Sequence, residues 1–230
     1  QAARILRDAL PSQVPVVSLQ NGLGNVEILQ RCLGPQRVLA GRVIFGVEIT
    51  GPAALRVTVI ARPTALGETA EAGLTARVRE LAGVFDEAGL PCEAVSDVRT
   101  HLWSKVVYNC ALNPLGAVLG VPYGELAARE DGRAIMDSVV REVYAVMDAC
   151  GYRTHWDGAD AFLDVFYSKL VPPTAAHESS MLQDVREGRT TEIDALNGQV
   201  VDLGERHLVS VPCNRMLCRL MHFLEKKASR

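Results

Sequence analysis

This sequence of 230 residues has no run of about 18 apolar residues, so nothing in it reads as a membrane-spanning helix. No basic stretch followed by an apolar one opens the chain, and a cytoplasmic location is the expectation. Neither sign of charge is in excess: 24 Lys and Arg face 27 Asp and Glu, a net charge of -3, which leaves no electrostatic footprint for nucleic acid or an anionic membrane. The one basic cluster, at 225–230, reads as a solvated tail. The six cysteines contain no CxxC pair and are expected as reduced, mostly buried thiols, with Cys213 and Cys218 packing a helix rather than binding a metal. HExxH, GxSxG and P-loop patterns are missing and the five histidines do not pair at ligand spacing, so metal and triad chemistry lack their residues. Gly22-Leu23-Gly24 starts like a dinucleotide fingerprint, but Glu27 stands where the third glycine belongs, and no acidic residue ends a second strand at the ribose distance. The turn is therefore not read as a phosphate loop.

What is present divides in two. Up to about Val98, helix and strand alternate. A helix closed by Pro11 is followed by the strand VPVVSLQN, then a glycine turn and a short helix ending at Gly34. The strands VLAGRVIFGVEIT and LRVTVIARPTALG are joined by GPAA. A helix carrying Leu74, Val78, Leu81 and Phe85 runs to Gly89, and the strand PCEAVSDV closes this part. From Arg99 the strand signal disappears. The segment 124–151 reads as one long helix with Ile135, Val139, Val143 and Met147 on a stripe and Gly151 as its stop. A helix capped by Asp157 or Thr154 runs to Pro172-Pro173, and another ends at Gly188. Thr190 is the expected cap of a helix over 191–208, and Asn214 a cap of the last helix. The fold class is α/β followed by all-α, with domains over 1–98 and 99–230 sharing a cleft.

The informative stretch is Arg99 to Leu126. Lys105, Asn109 and Asn113 sit at i, i+4 and i+8 in an otherwise apolar run, so on a helix they share one face, drifting about 40° per step. Burying an ammonium and two carboxamides is costly without partners, and such a face implies a ligand or a fixed network. A surface lysine beside two asparagines that tie down a helix end is the plain alternative. Pro114 removes the backbone bond to the Cys110 carbonyl and is expected to kink or end the helix just past Asn113. Trp103 reads as core. Asn21, at the carboxyl end of a strand, stands where ligands of open α/β sheets bind.

LQNGLGN around Asn21, LWSKVVYNCALNPLGAVLG around Lys105, PYGEL at Pro122 and SSMLQDVREGRTTEIDALNG around Ser180 and Glu192 resemble, in that order, the ketopantoate reductases (2-dehydropantoate 2-reductases). The resemblance runs from end to end. It implies the C-terminal half of a Rossmann-like, NADP-binding domain over 1–98, followed by a helical 6-phosphogluconate-dehydrogenase-C-like domain over 99–230. The implied activity is reduction of ketopantoate to pantoate with NADPH. Carried over residue by residue, Lys105 is the general acid. Asn109, Asn113 and Ser180 hold the substrate, and Asn21 and Glu192 lie at the nicotinamide end of the cofactor. Asn21 is counted with the substrate as well, and Glu192 with the catalytic pair. Val47, after the second strand, lends its backbone to the cofactor. The implied partner is a small keto acid, with neither nucleic acid nor membrane, and the assembly a homodimer. Read on its own, Glu192 is a carboxylate in the first turn of its helix, where the dipole favours an anion, and it serves equally as a cap. Ser180 read alone bonds the preceding turn.

Two departures carry expectations. Tyr123 stands where the family's PNGEL pattern has asparagine, which favours a reductase of another small keto acid. The GxGxxG half of the Rossmann domain is absent and the chain starts at Gln1 without Met, which reads as a truncation. On that reading the 230 residues alone bind NADPH weakly or not at all, lack activity, and expose a sheet edge prone to association; a non-catalytic helical remnant is the third alternative.

Overall fold

The computed structural model describes residues 2–70 and 73–228. Two compact units divide it: Gln1–Gln20 with Gly24–Leu102, and Asn21–Leu23 with Trp103–Arg230. The division thus falls a few residues later than position 98, and the three residues around Asn21 belong with the helical part. No described helix is long and apolar enough to cross a membrane.

The first unit is built on a four-stranded sheet in the order β1 (Val16–Ser18), β2 (Val38–Gly51), β3 (Ala54–Glu68), β4 (Cys92–Ala94). β1 runs parallel to β2, β2 antiparallel to β3, and β3 parallel to β4. Its helices are α1 (Ala2–Ala9), α2 (Asn25–Leu33) and α3 (Ala76–Glu87). Successive strand residues face opposite ways. Val16 and Val38 accordingly pack with Ala3, Leu29 and Leu33, whereas Val17, Leu39 and Leu66 pack with Val78 and Ala82. α1 and α2 therefore cover one face and α3 the other. Towards the tip of the β2–β3 hairpin Val47, Leu55 and Val57 are exposed, Leu55 at 68%.

Leu74 was expected on the buried stripe of α3; it lies before the helix and is exposed. The helix starts later because Thr75 is its cap, accepting from the Val78 amide, and because Glu68 at the end of β3 fixes that corner. The Glu68 carboxylate takes the Thr75 hydroxyl at 2.6 Å and both Nε and an Nη of Arg77, whose other Nη reaches the Gln36 carbonyl at 2.5 Å. The Arg77 bonds hold the Glu68 carboxyl below its usual range, burial working against them and Thr75 with them. A carboxyl depressed in the folded state contributes stability that is complete above the unfolded value, about 4.3, and is lost as pH falls through the folded one. The stability gap between the protein and Glu68→Gln in urea unfolding is expected to be widest at about pH 7 and to shrink in acid below about pH 4. A gap independent of pH would mean that the charge of Glu68 does not hold this corner.

In the second unit, α4 (Val98–Leu119, its first turn counted with the first unit) is packed by α5 (Tyr123–Ala128), α6 (Glu130–Cys150), α7 (Gly158–Val165), α8 (Ser180–Arg186), α9 (Asn197–His207) and α10 (Pro212–Ala228). Val106, Val107, Cys110, Ala111 and Leu112 of α4 are almost wholly buried, so this helix is core on most of its circumference. Of the six free cysteines Cys110 and Cys218 are buried and the other four partly so; burial pushes the Cys110 thiol well up and that of Cys218 to about 12.

Several expected boundaries move, each for a tertiary reason. Pro114 does not end α4, which continues for five more residues to Leu119. The carbonyl that the proline ring deprives of its helical donor, that of Cys110, accepts from the Asn197 Nδ2 at 3.1 Å. The same amide also donates to Asn214 Oδ1 at 2.9 Å. The long helix expected over 124–151 is two, broken at Arg129, whose extended backbone (φ -104, ψ 135) lets Gly132 settle on Leu126. A Cβ at Gly132 would stand 2.3 Å from the Leu126 carbonyl oxygen. Of the predicted stripe, Val139, Val143 and Met147 are buried and Ile135 is exposed, with Met136 and Val140 filling the core instead. Asp157 holds the cap position of α7 without a side-chain bond, while Thr154 closes the preceding turn on the Trp156 amide. Asn214 is not the cap of α10; it is buried as the third residue of the helix, and the carboxylate of Glu142 from α6 takes the Cys213 and Asn214 amides at 2.8 and 2.9 Å.

Asn197→Ala removes two bonds from buried acceptors and is expected to cost about 2–3 kcal/mol. In a Pro114→Ala background, where a backbone N–H returns to the Cys110 carbonyl, that cost should drop by about 1 kcal/mol. A double-mutant cycle in urea measures it; equal costs in both backgrounds would refute the link between proline and asparagine.

Candidate active site

The polar face of α4 has the spacing read from the sequence, and the structure shows what meets it. Lys105 is half-buried and its Nζ donates to the Asn21 Oδ1 at 2.5 Å. The Asn21 Nδ2 in turn donates to the Glu192 Oε2 at 3.1 Å. An ammonium, a neutral carboxamide and a carboxylate are thus connected in line. The Asn21 carboxamide oxygen orients the ammonium, and the Glu192 carboxylate orients the carboxamide.

Asn21 reaches this position because its turn is docked on the backbone beyond Glu192. The Leu23 amide donates to the Ala195 carbonyl at 2.7 Å, and Gly22, at φ +81, lies so close that a Cβ would stand 2.2 Å from the same oxygen. The glycine is spent on this contact, which leaves Gly22-Leu23-Gly24 no cradle for a pyrophosphate. Glu192 was expected inside the first turn of a long helix. It precedes a single 3-10 turn, Ile193–Ala195, and α9 begins only at Asn197, after Leu196 breaks the path at φ -105, ψ -102. The capping role expected of Thr190 falls away with that helix. Thr191 anchors the segment instead, its amide and hydroxyl both donating to Glu225 Oε1 of α10 at 2.8 and 2.7 Å.

One turn along α4 from Lys105, Asn109 is 7% exposed and makes no side-chain hydrogen bond among the described residues. Asn113, one turn further, is 5% exposed; its Oδ1 accepts from the Tyr123 hydroxyl at 2.7 Å. Burial holds the Tyr123 phenol far above its usual range, so it stays a donor. Ser180 is exposed at the start of α8. Its neighbour Ser179 is the buried one, the cap of α8, accepting from the Leu182 amide and donating to the Asn113 carbonyl at 3.2 Å. The capping position was the available signal for Ser179; Asn197 and Glu225 had none in the local pattern. Val47 lies within β2 rather than after it, exposed and paired across the hairpin with Val57, in the first unit. Trp103 is core, stacked on Tyr152 at 5.3 Å.

Gly22→Ala forces a methyl group into the Ala195 carbonyl at a positive φ. A loss of about 3 kcal/mol or more is expected in urea unfolding, together with lower protection of the Leu23 amide in hydrogen exchange. Unchanged exchange at Leu23 would show that the turn is not held at Ala195.

Comparison with known proteins gives a consistent picture. Residues 97–225 match the family described as ketopantoate reductase PanE/ApbA C terminal, and residues 1–71 the family described as ketopantoate reductase PanE/ApbA. A 2-dehydropantoate 2-reductase of Aquifex aeolicus is 37% identical over 221 residues, 96% of this chain and 71% of that protein. Its counterpart in Archaeoglobus fulgidus is 33% identical over 91% of this chain and 68% of its own length. The crystal structure of a PanE/ApbA family ketopantoate reductase from Ralstonia eutropha JMP134 superposes with a TM-score of 0.87 at 33% identity, covering 100% of this chain and 72% of that one.

Proposed function

This chain belongs to the ketopantoate reductase family of NADP-dependent oxidoreductases, and we propose that its α4 face binds a small 2-keto acid, with ketopantoate as substrate, and protonates it through Lys105. The observation that carries the reading is the line from Lys105 through Asn21 to Glu192, on the helix that also carries Asn109, a mostly buried residue whose carboxamide has no hydrogen bond among the described residues. NADPH, when bound, supplies the hydride for the keto carbon. As the carbonyl oxygen gains negative charge, the Lys105 ammonium stabilises it and transfers its proton there, leaving the 2-hydroxy acid. Asn21 holds the lysine in place and Glu192 holds Asn21; both also offer polar atoms to the nicotinamide end of the cofactor. Asn109 and Asn113 orient the acid, neutral groups being able to donate without repelling a carboxylate. Ser180, exposed beside the buried Ser179, meets the substrate from α8, and Val47 offers backbone groups to the cofactor from β2. The reading places the enzyme in the cytoplasm and pairs two copies, for which the exposed stripe of Met216, Leu220 and Phe223 on α10 is a suitable face. A second reading, a related small keto acid in place of ketopantoate, is favoured by Tyr123, whose hydroxyl engages Asn113.

In a form that carries a glycine-rich dinucleotide turn together with these residues, Lys105→Ala is expected to lower kcat by about 10² to 10⁴ while the keto acid still binds. Turnover should also fall in alkali, since the role needs the ammonium. Asn109→Ala and Asn113→Ala act mainly on KM. A loss of kcat under about tenfold for Lys105→Ala removes the lysine from the mechanism.

A further inference from the structure

Tyr123 is buried at 4% exposure among aromatic neighbours. Its ring meets Tyr108 edge-on at 6.1 Å and His177 at 5.3 Å, and its amide donates to the His177 carbonyl. The ring is fixed on several sides, so the direction of its hydroxyl is fixed as well. That hydroxyl donates to Asn113 Oδ1 at 2.7 Å. The Asn113 backbone is also held, its carbonyl accepting from the buried Ser179 hydroxyl at 3.2 Å. A carboxamide whose oxygen is engaged by a buried donor presents its NH₂ group to anything else it meets, and Asn113 has no other side-chain bond among the described residues.

We propose that Tyr123 is a positioning residue for substrate selection: by donating to the Asn113 oxygen it holds that carboxamide with its NH₂ group turned to the face, so that Asn113 meets acceptor atoms of a keto acid and offers the hydrogen of a substrate hydroxyl only an oxygen already engaged. This rests on the keto-acid reading of the α4 face. A substrate hydroxyl near Asn113 can accept from the NH₂ group, but its own hydrogen meets an oxygen whose orientation and first lone pair are taken by the tyrosine. Lys105, Asn109 and Asn113 follow one another along one face of α4, each one turn from the next. Between the other two Asn109, able to donate or accept, is the remaining adjustable contact. Selection by charge and shape rather than by a hydroxyl admits small 2-keto acids with and without hydroxyl substituents.

The test compares ketopantoate with 3,3-dimethyl-2-oxobutanoate, the same acid without its hydroxyl, by isothermal titration of the protein and of Tyr123→Phe. The wild-type affinities are expected within about threefold of each other. Tyr123→Phe keeps the ring contacts and frees the Asn113 oxygen, and should raise the preference for the hydroxylated acid roughly five- to tenfold. Asn113→Asp keeps an acceptor for the Tyr123 hydroxyl but removes the donor, and should weaken both acids by at least tenfold. Thermal unfolding of each variant checks that it is folded, and the affinity ratio is a readout that lost packing alone does not move. If both acids bind and the ratio is the same with Tyr123 and with Phe, the inference is overturned while the keto-acid reading stands. If neither acid binds any variant, the keto-acid reading fails and takes the inference with it.

Discussion

Nearly everything in the second unit depends on burying α4 without stranding its polar atoms. A helix that is core on most sides normally presents only apolar side chains, and here one face instead carries a lysine and two asparagines. Each polar atom on that face has to be met by another element or by a ligand, since an unmet one costs about 1–3 kcal/mol. The Asn21 turn meets Lys105, Tyr123 of α5 meets the Asn113 side chain, and Ser179 at the start of α8 meets the Asn113 backbone. The Asn109 carboxamide is left to whatever the face binds. Fold and site are therefore one problem here: the groups that make the burial tolerable also aim the side chains.

Pro114 shows the same coupling in the backbone. Within an apolar helix it orphans one carbonyl, and only a donor from elsewhere in the chain can replace the missing amide. Asn197 does this from the start of α9, and its amide is shared with Asn214, whose own amide nitrogen donates to Glu142. The arrangement is not perfectly satisfied, for Asn197 Oδ1 is buried without a partner. The shared amide ties α4, α9, α10 and α6 together at the level of Cys110, one residue beyond Asn109. The same level of the helix carries the Asn109 carboxamide, which has no hydrogen-bond partner among the described residues.

How far the sequence was legible follows from the range of each interaction. The α4 spacing, the helix stops at Gly89, Gly151 and Gly188 (all at positive φ) and the strands of the first unit are local or periodic features, and they could be read directly. The continuation through Pro114, the break at Arg129 and the start of α9 at Asn197 could not. Each is decided by an atom dozens of residues away or by a close backbone approach, and local propensity has no knowledge of either. The different placement of Ser179 and Ser180 was hidden for a subtler reason. Two adjacent serines are equivalent as composition, and only the cap geometry of α8 sends one into the core and leaves the other outside. Asn21 was recognised as a candidate, yet its direct bond to Lys105 lies 84 residues apart in the chain and had no pattern to announce it.

The placing of Asn21 with the helical unit, away from the strand it follows, bears on how such a site is kept intact. A turn belonging to a sheet by sequence but to a helical bundle by contact needs a strong local reason to leave its strand. Gly22 supplies one by letting two backbones approach closer than any side chain permits, so that the Leu23 amide bonds the Ala195 carbonyl. Asn21 is then carried by the same segment that carries Glu192. The two partners that orient Lys105 thus belong to the same compact unit as the lysine. The role proposed for Lys105, a proton donor in position when the substrate arrives, would gain from this, since the orientation is set inside the unit that presents the lysine.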